Sequence, residues 1–396
     1  MKRLKGSGMI VAVQGTSLLK VVLAFIFFLI SVFTFSGLMT SLKPEYRIAS
    51  SSINQAANNI NGELLYRLMS WENHQLLQVL PKKEDSFNLS SLVFELSTNI
   101  SLDDPRSFLG RELPGFDLFD GKILVAGEGT NYTNMPMESP PPIEVLKAEQ
   151  EAALQNTEDI EGTENDGNTV TPPNTTGGKE VVYVYFSHNR ESYLPYLEGV
   201  TDPDRAYHSK VNVTRIGDRL KEGLESQGVG TTVDKSDVMG TLNKKGLGFG
   251  YAYQESRSVV ETAMAGNRDL RYIIDIHRDS RRKKDTTVTI DGKAYAKLAF
   301  VIGGNNQNYE KNLKLATELH ELLEKNYKGM SRGIIENKGP GMNGVYNQDL
   351  SGNALLVEFG GVDNTFEELY RSADALADVF SEFYWQADQV DAQANN

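Results

Sequence analysis

The chain has 396 residues, no cysteine and a formal net charge of −13. The absence of cysteine excludes disulfide scaffolds, thiolate catalysis and cysteine-based zinc sites. The acidic balance argues against nucleic-acid binding, which needs a basic surface. At about 150 residues per domain, this length predicts two or three domains.

The N-terminus, residues 1–42, has the composition of a membrane anchor. It carries four basic residues and no acidic residue. Leu18–Met39 is almost wholly apolar, and about 20 apolar residues span a bilayer. The run is longer than the apolar region of a cleaved signal peptide and lacks its small-residue exit, which favours a retained single-pass anchor. The flanking lysines predict a cytoplasmic N-terminus, with the rest of the chain on the other side of the membrane.

Composition divides the rest of the chain into three regions. Residues 43–127 mix helical and extended patterns, with a short strand expected at Ile123–Ala126, and indicate a small membrane-proximal extracytoplasmic region. Residues 128–180 are rich in Pro, Thr, Asn, Gly and acid. Such a segment has too few apolar residues to offset the entropy of ordering, so it predicts a disordered acidic linker. Residues 181–390 are expected to form the main folded domain.

Within residues 181–390, strands alternate with helices. The pattern predicts strands at Val181–Phe186, Val229–Val233, Leu270–His277, Gly333–Ile335 and Ala354–Glu358. It predicts helices through the stripe Val213–Leu224 and at Tyr251–Ala265, Asn308–Tyr327 and Thr365–Trp385. An Asp291-Gly292 turn predicts a β-hairpin between them. The expected fold class is α/β, with a mainly parallel sheet covered by helices on both faces.

Three of these strands end in groups that can bind a metal or transfer a proton. His188 follows the first strand, His277 ends the third, and Glu358 ends the last. Because the carboxyl ends of parallel strands meet at one edge of a sheet, we expect the three side chains to converge. An unpaired carboxylate in an apolar strand is costly to bury, which favours a functional role for Glu358.

Two histidines and a carboxylate predict a His₂Glu zinc site with an open position for water. His188 and His277 are the predicted imidazole ligands, and Glu358 is the predicted base that passes a proton to the departing amine. Two residues remain candidates for the third ligand. Glu191 lies three residues after His188, and His208 lies just before the first helix.

Other residues near these strand ends are candidates for supporting roles. Asp275 and Asp279 flank His277 and are expected to orient its imidazole. Arg278 is a candidate to bind a substrate carboxylate. A Gly-rich loop before the last strand is expected to line a substrate groove with Tyr346, Asn347 and Gln348.

The motifs at these positions resemble the stage II sporulation protein P (SpoIIP) family of endospore-forming bacteria. They cover the second half of the chain: Ser187–Pro195, Asn212–Gly217, Ile274–Ser280, Tyr346–Leu350 and Leu355–Gly361. The anchor, the spacer and the acidic linker also fit the layout of that family.

The resemblance implies an N-acetylmuramoyl-L-alanine amidase fold for residues 181–390 and zinc-dependent hydrolysis of peptidoglycan, with endopeptidase activity on peptide crosslinks. It implies essential roles for His188 and His277 and supports Glu191 and Glu358. It also implies work at the sporulation septum and engulfing membrane of the mother cell. The implied partners are a SpoIID-like lytic transglycosylase and a SpoIIM-like membrane protein. In the wider zinc amidases the Glu ligand opens the first helix, which here falls near His208 and leaves the third ligand open.

Two other functions are compatible with the same residues. A zinc carboxypeptidase acting on wall peptides would use the same ligands and base, with a fixed cation such as Arg278 for the terminal carboxylate. A wall-binding scaffold without catalytic activity would need neither histidine.

Overall fold

The computed structural model of this chain describes residues 26–28, 121–138, 140–142, 144–145, 152–160, 172–338 and 342–394. The predicted anchor and most of the predicted membrane-proximal region lie outside these residues, apart from residues 26–28, which are helical and exposed. In the part of the chain that is described, no helix combines the length and the apolar character needed to cross a bilayer. The described residues from 121 onward belong to one compact unit, Asp104–Asn396.

The unit is built from nine strands and six α-helices among the described residues. The strands are β1 Lys122–Ala126, β2 Glu180–Tyr185, β3 Gly230–Val233, β4 Tyr272–Asp279, β5 Thr287–Ile290, β6 Lys293–Ala296, β7 Leu298–Gly303, β8 Ser331–Asn337 and β9 Ala354–Gly361. The helices are α1 Thr214–Ser226, α2 Val238–Lys245, α3 Ala252–Gly266, α4 Lys283–Thr286, α5 Tyr309–Asn326 and α6 Phe366–Ala394. Short 3₁₀ turns lie at Thr157–Asp159, Leu194–Tyr196, Pro203–Arg205, Phe249–Tyr251 and Gln348–Leu350.

Seven strands form the main sheet in the order β1-β8-β7-β9-β4-β2-β3. The pairs β3–β2, β2–β4, β4–β9 and β7–β8 are parallel, and β9–β7 and β8–β1 are antiparallel. The prediction of a mainly parallel α/β sheet is therefore confirmed. The reversal at β7 was not predicted, and it follows from the hairpin of β5 and β6, which turns the chain round before it enters the main sheet.

Both faces of the sheet are covered, but unequally. On one face α1, α5 and α6 bury their apolar stripes against Val182, Val184, Ile274 and Val357. On the other face α3 packs Val260 against Tyr183 and Tyr185. Since side chains alternate along a strand, Asp275 and His277 share this second face with Tyr185, their neighbour in register. The thinner cover on this face leaves room for a cleft.

Three described stretches of the predicted acidic linker differ from the prediction of disorder. Residues 128–138 continue from β1 and bury Met135 against the sheet. Residues 152–160 contact the domain through a backbone hydrogen bond from Gln155 to Tyr196 (3.0 Å) and bury Ile160. Residues 172–180 lead into β2. A few apolar side chains and main-chain hydrogen bonds thus fix segments whose average composition is that of a tether.

Candidate metal centre and active site

The carboxyl ends of β2 and β4 bring the two predicted histidine ligands together. His188 lies in the turn that follows β2, and His277 lies in β4 directly opposite Glu358 of β9. The two imidazole rings meet edge to face, with centroids 4.8 Å apart. The predicted convergence of the three strand ends is what the structure shows.

His188, Glu191 and His277 form a buried group in which one ligand atom from each lies within 4.8 Å of the others. The carboxylate of Glu191 lies between the rings, with Oε1 3.4 Å from His188 Nδ1 and Oε2 3.7 Å from His277 Nδ1. Atoms about 2.1 Å from a tetrahedral zinc lie about 3.4 Å from one another. The two distances from Glu191 to the histidines are close to this value, so the three side chains are candidate zinc ligands.

The chain holds Glu191 in place from two sides. A tight turn joins its N–H to the carbonyl of His188 (3.0 Å), and its own carbonyl accepts from Val213 N–H at the start of α1 (2.9 Å). The main-chain N–H of Arg278 donates to Glu191 Oε2 at 2.8 Å. The carboxylate is therefore oriented by the backbone that carries the second histidine.

His188 supplies a second test of whether the group fits a metal. Its side chain is buried, and neither ring nitrogen forms a well-aligned hydrogen bond among the described residues, although the carboxylates of Glu138 and Glu191 lie 3.1 and 3.4 Å from Nδ1. Buried polar atoms are rarely left unbonded, because desolvation without a partner is costly. An imidazole in this state suits metal ligation, which would satisfy Nδ1.

His277 is oriented by contacts on the side of its ring that faces away from Glu191. Its Nε2 lies 3.2 Å from Asp275 Oδ2 and 3.1 Å from Ser187 Oγ. Ser187 in turn donates its main-chain N–H and its hydroxyl to Asp275. A carboxylate on the far nitrogen of a ligand histidine fixes the ring and its tautomer. This is the predicted role of Asp275.

Glu358 lines a small, partly open cleft together with Glu138, Tyr253, Tyr346 and Leu356 among others. Its side chain is 7% exposed, and its Oε2 has no partner among the described residues. The structural alternative, an arginine paired with this carboxylate, is absent from the ion pairs of the described chain. Glu358 is thus buried, unpaired and next to the candidate metal group.

The two buried carboxyl groups have opposite pKa shifts. Burial raises the pKa of Glu358 well above its ordinary value, and the negative charge of Glu191 adds to the rise against the opposing effect of His277. Burial alone would also raise the pKa of Glu191, but hydrogen bonds and charge from His188 and His277 outweigh it and lower that pKa. One group is therefore held as an anion, and the other as a proton carrier.

The second candidate for the third ligand, His208, lies outside this group. Its Nδ1 accepts the main-chain N–H groups of Lys210 and Val211, each at 3.1 Å. The ring is thereby used to shape the loop before α1. The geometry favours Glu191 over His208.

Two predicted supporting residues have different contacts from those expected. Asp279 does not orient His277; it forms a buried ion pair with Arg332. The guanidinium of Arg278 is buried above the ring of Tyr207 (5.8 Å) and donates to Ala206 O at 3.4 Å. Its Nε and Nη1 have no hydrogen-bond partner among the described residues.

The loop before β9 contributes to the cleft through one of its three predicted residues. Tyr346 lines the cleft, with its ring edge against Tyr253. Asn347 donates to Ser256 Oγ at 3.1 Å, and Gln348 bonds the main chain of Val301 and Gly303. These two amides hold the loop to the domain.

Sequence reasoning missed three residues that contact the histidines. Phe249 stacks on His188 with ring centroids 4.1 Å apart, and Tyr253 lies edge-on at 5.2 Å. Glu138 places Oε1 3.1 Å from His188 Nδ1. Phe249 lies in the 3₁₀ turn before α3 and Tyr253 lies in the first turn of α3, neither within a motif, and the composition around Glu138 predicts a linker. Nothing in the sequence distinguishes it from the other acids of that run.

Comparison with known proteins gives a family and one full-length relative. Residues 103–381 match the family model described as stage II sporulation protein P (SpoIIP). The chain is 54% identical over 383 residues to stage II sporulation protein P of Bacillus subtilis (strain 168), covering 97% of this chain and 96% of that protein.

Among solved structures, the N-acetylmuramyl-L-alanine amidase Ami1 of Mycobacterium smegmatis aligns with a TM-score of 0.31 and 15% identity, over 52% of this chain and 96% of that chain. A superposition this weak supports no statement about the present chain.

Proposed function

This chain belongs to the stage II sporulation protein P family, and on that premise we propose that it is a zinc-dependent N-acetylmuramoyl-L-alanine amidase. Its substrate would be peptidoglycan, cut at the amide bond between the lactyl group of muramic acid and L-alanine. The observation that carries the proposal is the buried His188–Glu191–His277 group beside the unpaired carboxyl group of Glu358.

The residues around the cleft divide the chemistry of amide hydrolysis among them. A zinc ion held by His188, Glu191 and His277 would polarise the scissile carbonyl and lower the pKa of the attacking water. Glu358 would accept a proton from that water through its free Oε2 and deliver it to the nitrogen of the departing amine as the C–N bond breaks. Its raised pKa suits both transfers. Asp275 would hold His277 in the ligand tautomer.

The proposal extends to cellular context through the family and the composition of the N-terminus. The apolar run Leu18–Met39 would anchor the protein in the mother-cell membrane at the sporulation septum, with the domain outside the cytoplasm. There it would thin septal peptidoglycan during engulfment of the forespore. A SpoIID-like lytic transglycosylase and a SpoIIM-like membrane protein would be its partners, and endopeptidase cleavage of peptide crosslinks would be a second activity.

Digestion of purified peptidoglycan by the full chain tests the reaction. We expect new N-terminal L-alanine and no increase in free D-alanine. Release of C-terminal D-alanine would instead identify a carboxypeptidase. The buried position of Arg278, above Tyr207 and outside the cleft lining, gives such an enzyme no exposed cation there.

Variants separate catalysis from wall binding. Glu358→Gln should lower the rate about 10²–10⁴-fold, and His188→Ala should abolish hydrolysis, while both variants still bind the wall. Glu198→Gln, at an exposed residue away from the cleft, is the matched control. Full activity of His188→Ala in the presence of a chelator would refute the metal assignment. A wild-type chain that binds wall without cutting it would indicate a scaffold.

A further inference from the structure

The segment 134–138, which lies between β1 and β2 in sequence, borders the candidate active site. Met137 of this segment makes main-chain hydrogen bonds of the kind a bound peptide makes. Its N–H donates to Asp279 Oδ1 at 2.9 Å. Its carbonyl accepts from the N–H (3.1 Å) and the hydroxyl (2.8 Å) of Ser280. Both main-chain polar groups of Met137 are thus satisfied by the end of β4.

The residues before Met137 are fixed by two arginines and a buried side chain. Arg281 Nε donates to Met135 O at 2.9 Å, and Arg332, paired with Asp279, donates to Asn134 O. Met135 is buried against Ala299 and Ile335. Burial of this apolar side chain stabilises the position of the segment. The segment is therefore seated at a defined place on the domain.

The end of the segment 134–138 reaches the cleft. Pro136 and Glu138 line the same cleft as Glu358. Glu138 Oε1 lies 3.1 Å from His188 Nδ1, while the side chain as a whole is 40% exposed. The carboxylate thus approaches the candidate metal group from the solvent side, the direction from which water and substrate must enter.

The position of Glu138 matters because the number of protein ligands distinguishes catalytic from structural zinc sites. Catalytic zinc sites have three protein ligands and one position open to water or substrate, whereas sites with four protein ligands are structural and closed. His188, Glu191 and His277 supply three ligands. A carboxylate oxygen from Glu138 is a fourth donor of the type that zinc accepts.

We propose that segment 134–138 is an intrachain occupant of the substrate site. The main chain of Met137 fills a subsite that takes an extended peptide, formed by Asp279 and Ser280. Glu138 competes for the metal position that hydrolysis requires. The proposal rests on the metal centre of the proposed function and deepens it: the peptide stem of the substrate binds in this seat after the segment leaves.

The proposal that segment 134–138 occupies the substrate site can be tested without measuring hydrolysis, in the full chain loaded with Co²⁺. Acetohydroxamate binds open metal positions, and its Kd is read from the visible absorption of Co²⁺. When a group of the protein competes for a site, the apparent Kd of a ligand equals its intrinsic Kd divided by the fraction of time the site is open. We expect Glu138→Gln to lower the Kd for acetohydroxamate about tenfold, and Glu138→Ala to do the same. Glu144→Gln, at an exposed acid of the same stretch, should leave it unchanged.

Amide hydrogen exchange tests the peptide seat in the same samples. Exchange at the Met137 N–H should be faster when acetohydroxamate is bound and faster in Glu138→Gln, because the hydrogen bond to Asp279 then opens more often. The proposal would be overturned if the wild type and both Glu138 variants had equal Kd values for acetohydroxamate and equal melting temperatures. A wild-type chain that binds no cobalt would overturn the metal-dependent function itself, and the occupant with it.

Discussion

The pKa of Glu191 is lowered although its side chain is buried, because two imidazoles and a main-chain N–H surround its carboxylate. Glu358 lies in the same site and lacks such partners, so burial raises its pKa well above its ordinary value. The contrast arises from contacts that are distant in sequence. His188 and Glu191 are neighbours in the chain, but His277 and Glu358 are brought to them by the parallel pairing of β4 with β2 and β9.

The first prediction at the residue scale concerns the carboxylate behind His277. Asp275→Asn should weaken zinc binding about 10–100-fold, because the imidazole loses the charge that fixes its tautomer. Zinc affinity is measured by competition with a chromophoric chelator. Asp234→Asn is the matched control, since Asp234 also accepts a hydrogen bond on this face of the sheet, from Tyr183 OH at 2.6 Å. Equal losses in both variants would show a general effect on folding.

The second prediction uses the raised pKa of Glu358, which results from burial. A folded-state pKa above the unfolded value of about 4.3 means that folding favours the protonated form. This contribution is fully present below pH 4.3 and is lost as pH rises towards the folded pKa. The stability of the metal-free wild type relative to Glu358→Gln should therefore fall with increasing pH, by at most about 1.4 kcal/mol per pH unit.

Urea unfolding of both proteins between pH 4 and pH 8, with chelator present, gives this difference. A difference that stays constant over the range would show that Glu358 ionises as it does in the unfolded chain.

The sequence predicted that His188 and His277 meet, but it left the third member of the candidate metal group open between Glu191 and His208 and did not indicate Glu138. Two histidines at strand ends, each beside a carboxylate, indicate a shared site because parallel strands end at a common edge. Glu138 reaches the same site from a proline-rich run through hydrogen bonds of the Met137 main chain. The amino-acid sequence does not show which main-chain groups form hydrogen bonds, so this contact could be found only in the structure.

At the scale of elements, apolar periodicity predicted the strands of the main sheet after β1 and the helices α1, α3 and α5 to within about three residues, whereas α6 extends nine residues beyond its predicted end at Trp385. It did not predict that β1 joins the main sheet or that β7 reverses direction. Both depend on which edges pair. β1 is short and only half-buried, and its sequence gives no sign that β8 is its partner. Helix α2 was missed because its eight residues are too few for a clear apolar stripe.

The third prediction tests the pairing of β1 with β8. Gly333 of β8 has φ +96°, and a Cβ there would lie 2.0 Å from the carbonyl oxygen of Val125. Gly333→Ala should therefore lower the free energy of unfolding by more than about 2 kcal/mol, since both backbone strain and a clash arise. Gly266→Ala, at a helix end with no atom within 4 Å, should change it by less than about 0.5 kcal/mol. Urea unfolding compares them, and similar values would contradict the pairing.

For the whole molecule, the metal should act as a stabilising ligand. A ligand that binds only the folded state adds about 2.7 kcal/mol at a concentration 100 times its Kd. Zinc should therefore raise the melting temperature of the wild type. Zinc should raise the melting temperature of Glu191→Gln much less, because this variant lacks the central carboxylate. It should raise the melting temperature of Glu198→Gln as much as that of the wild type. Equal gains in all three proteins would place the bound zinc elsewhere.

The pairing of β1 with β8 also determines which part of the chain can set the distance between the domain and a membrane. Both β1 and β2 are strands of the same sheet, so the residues between them begin and end at the same domain. Under the proposed membrane anchorage, shortening residues 161–171 would leave the reach of the domain from the bilayer unchanged. Only a change in the number of residues ahead of Lys122 would alter that reach.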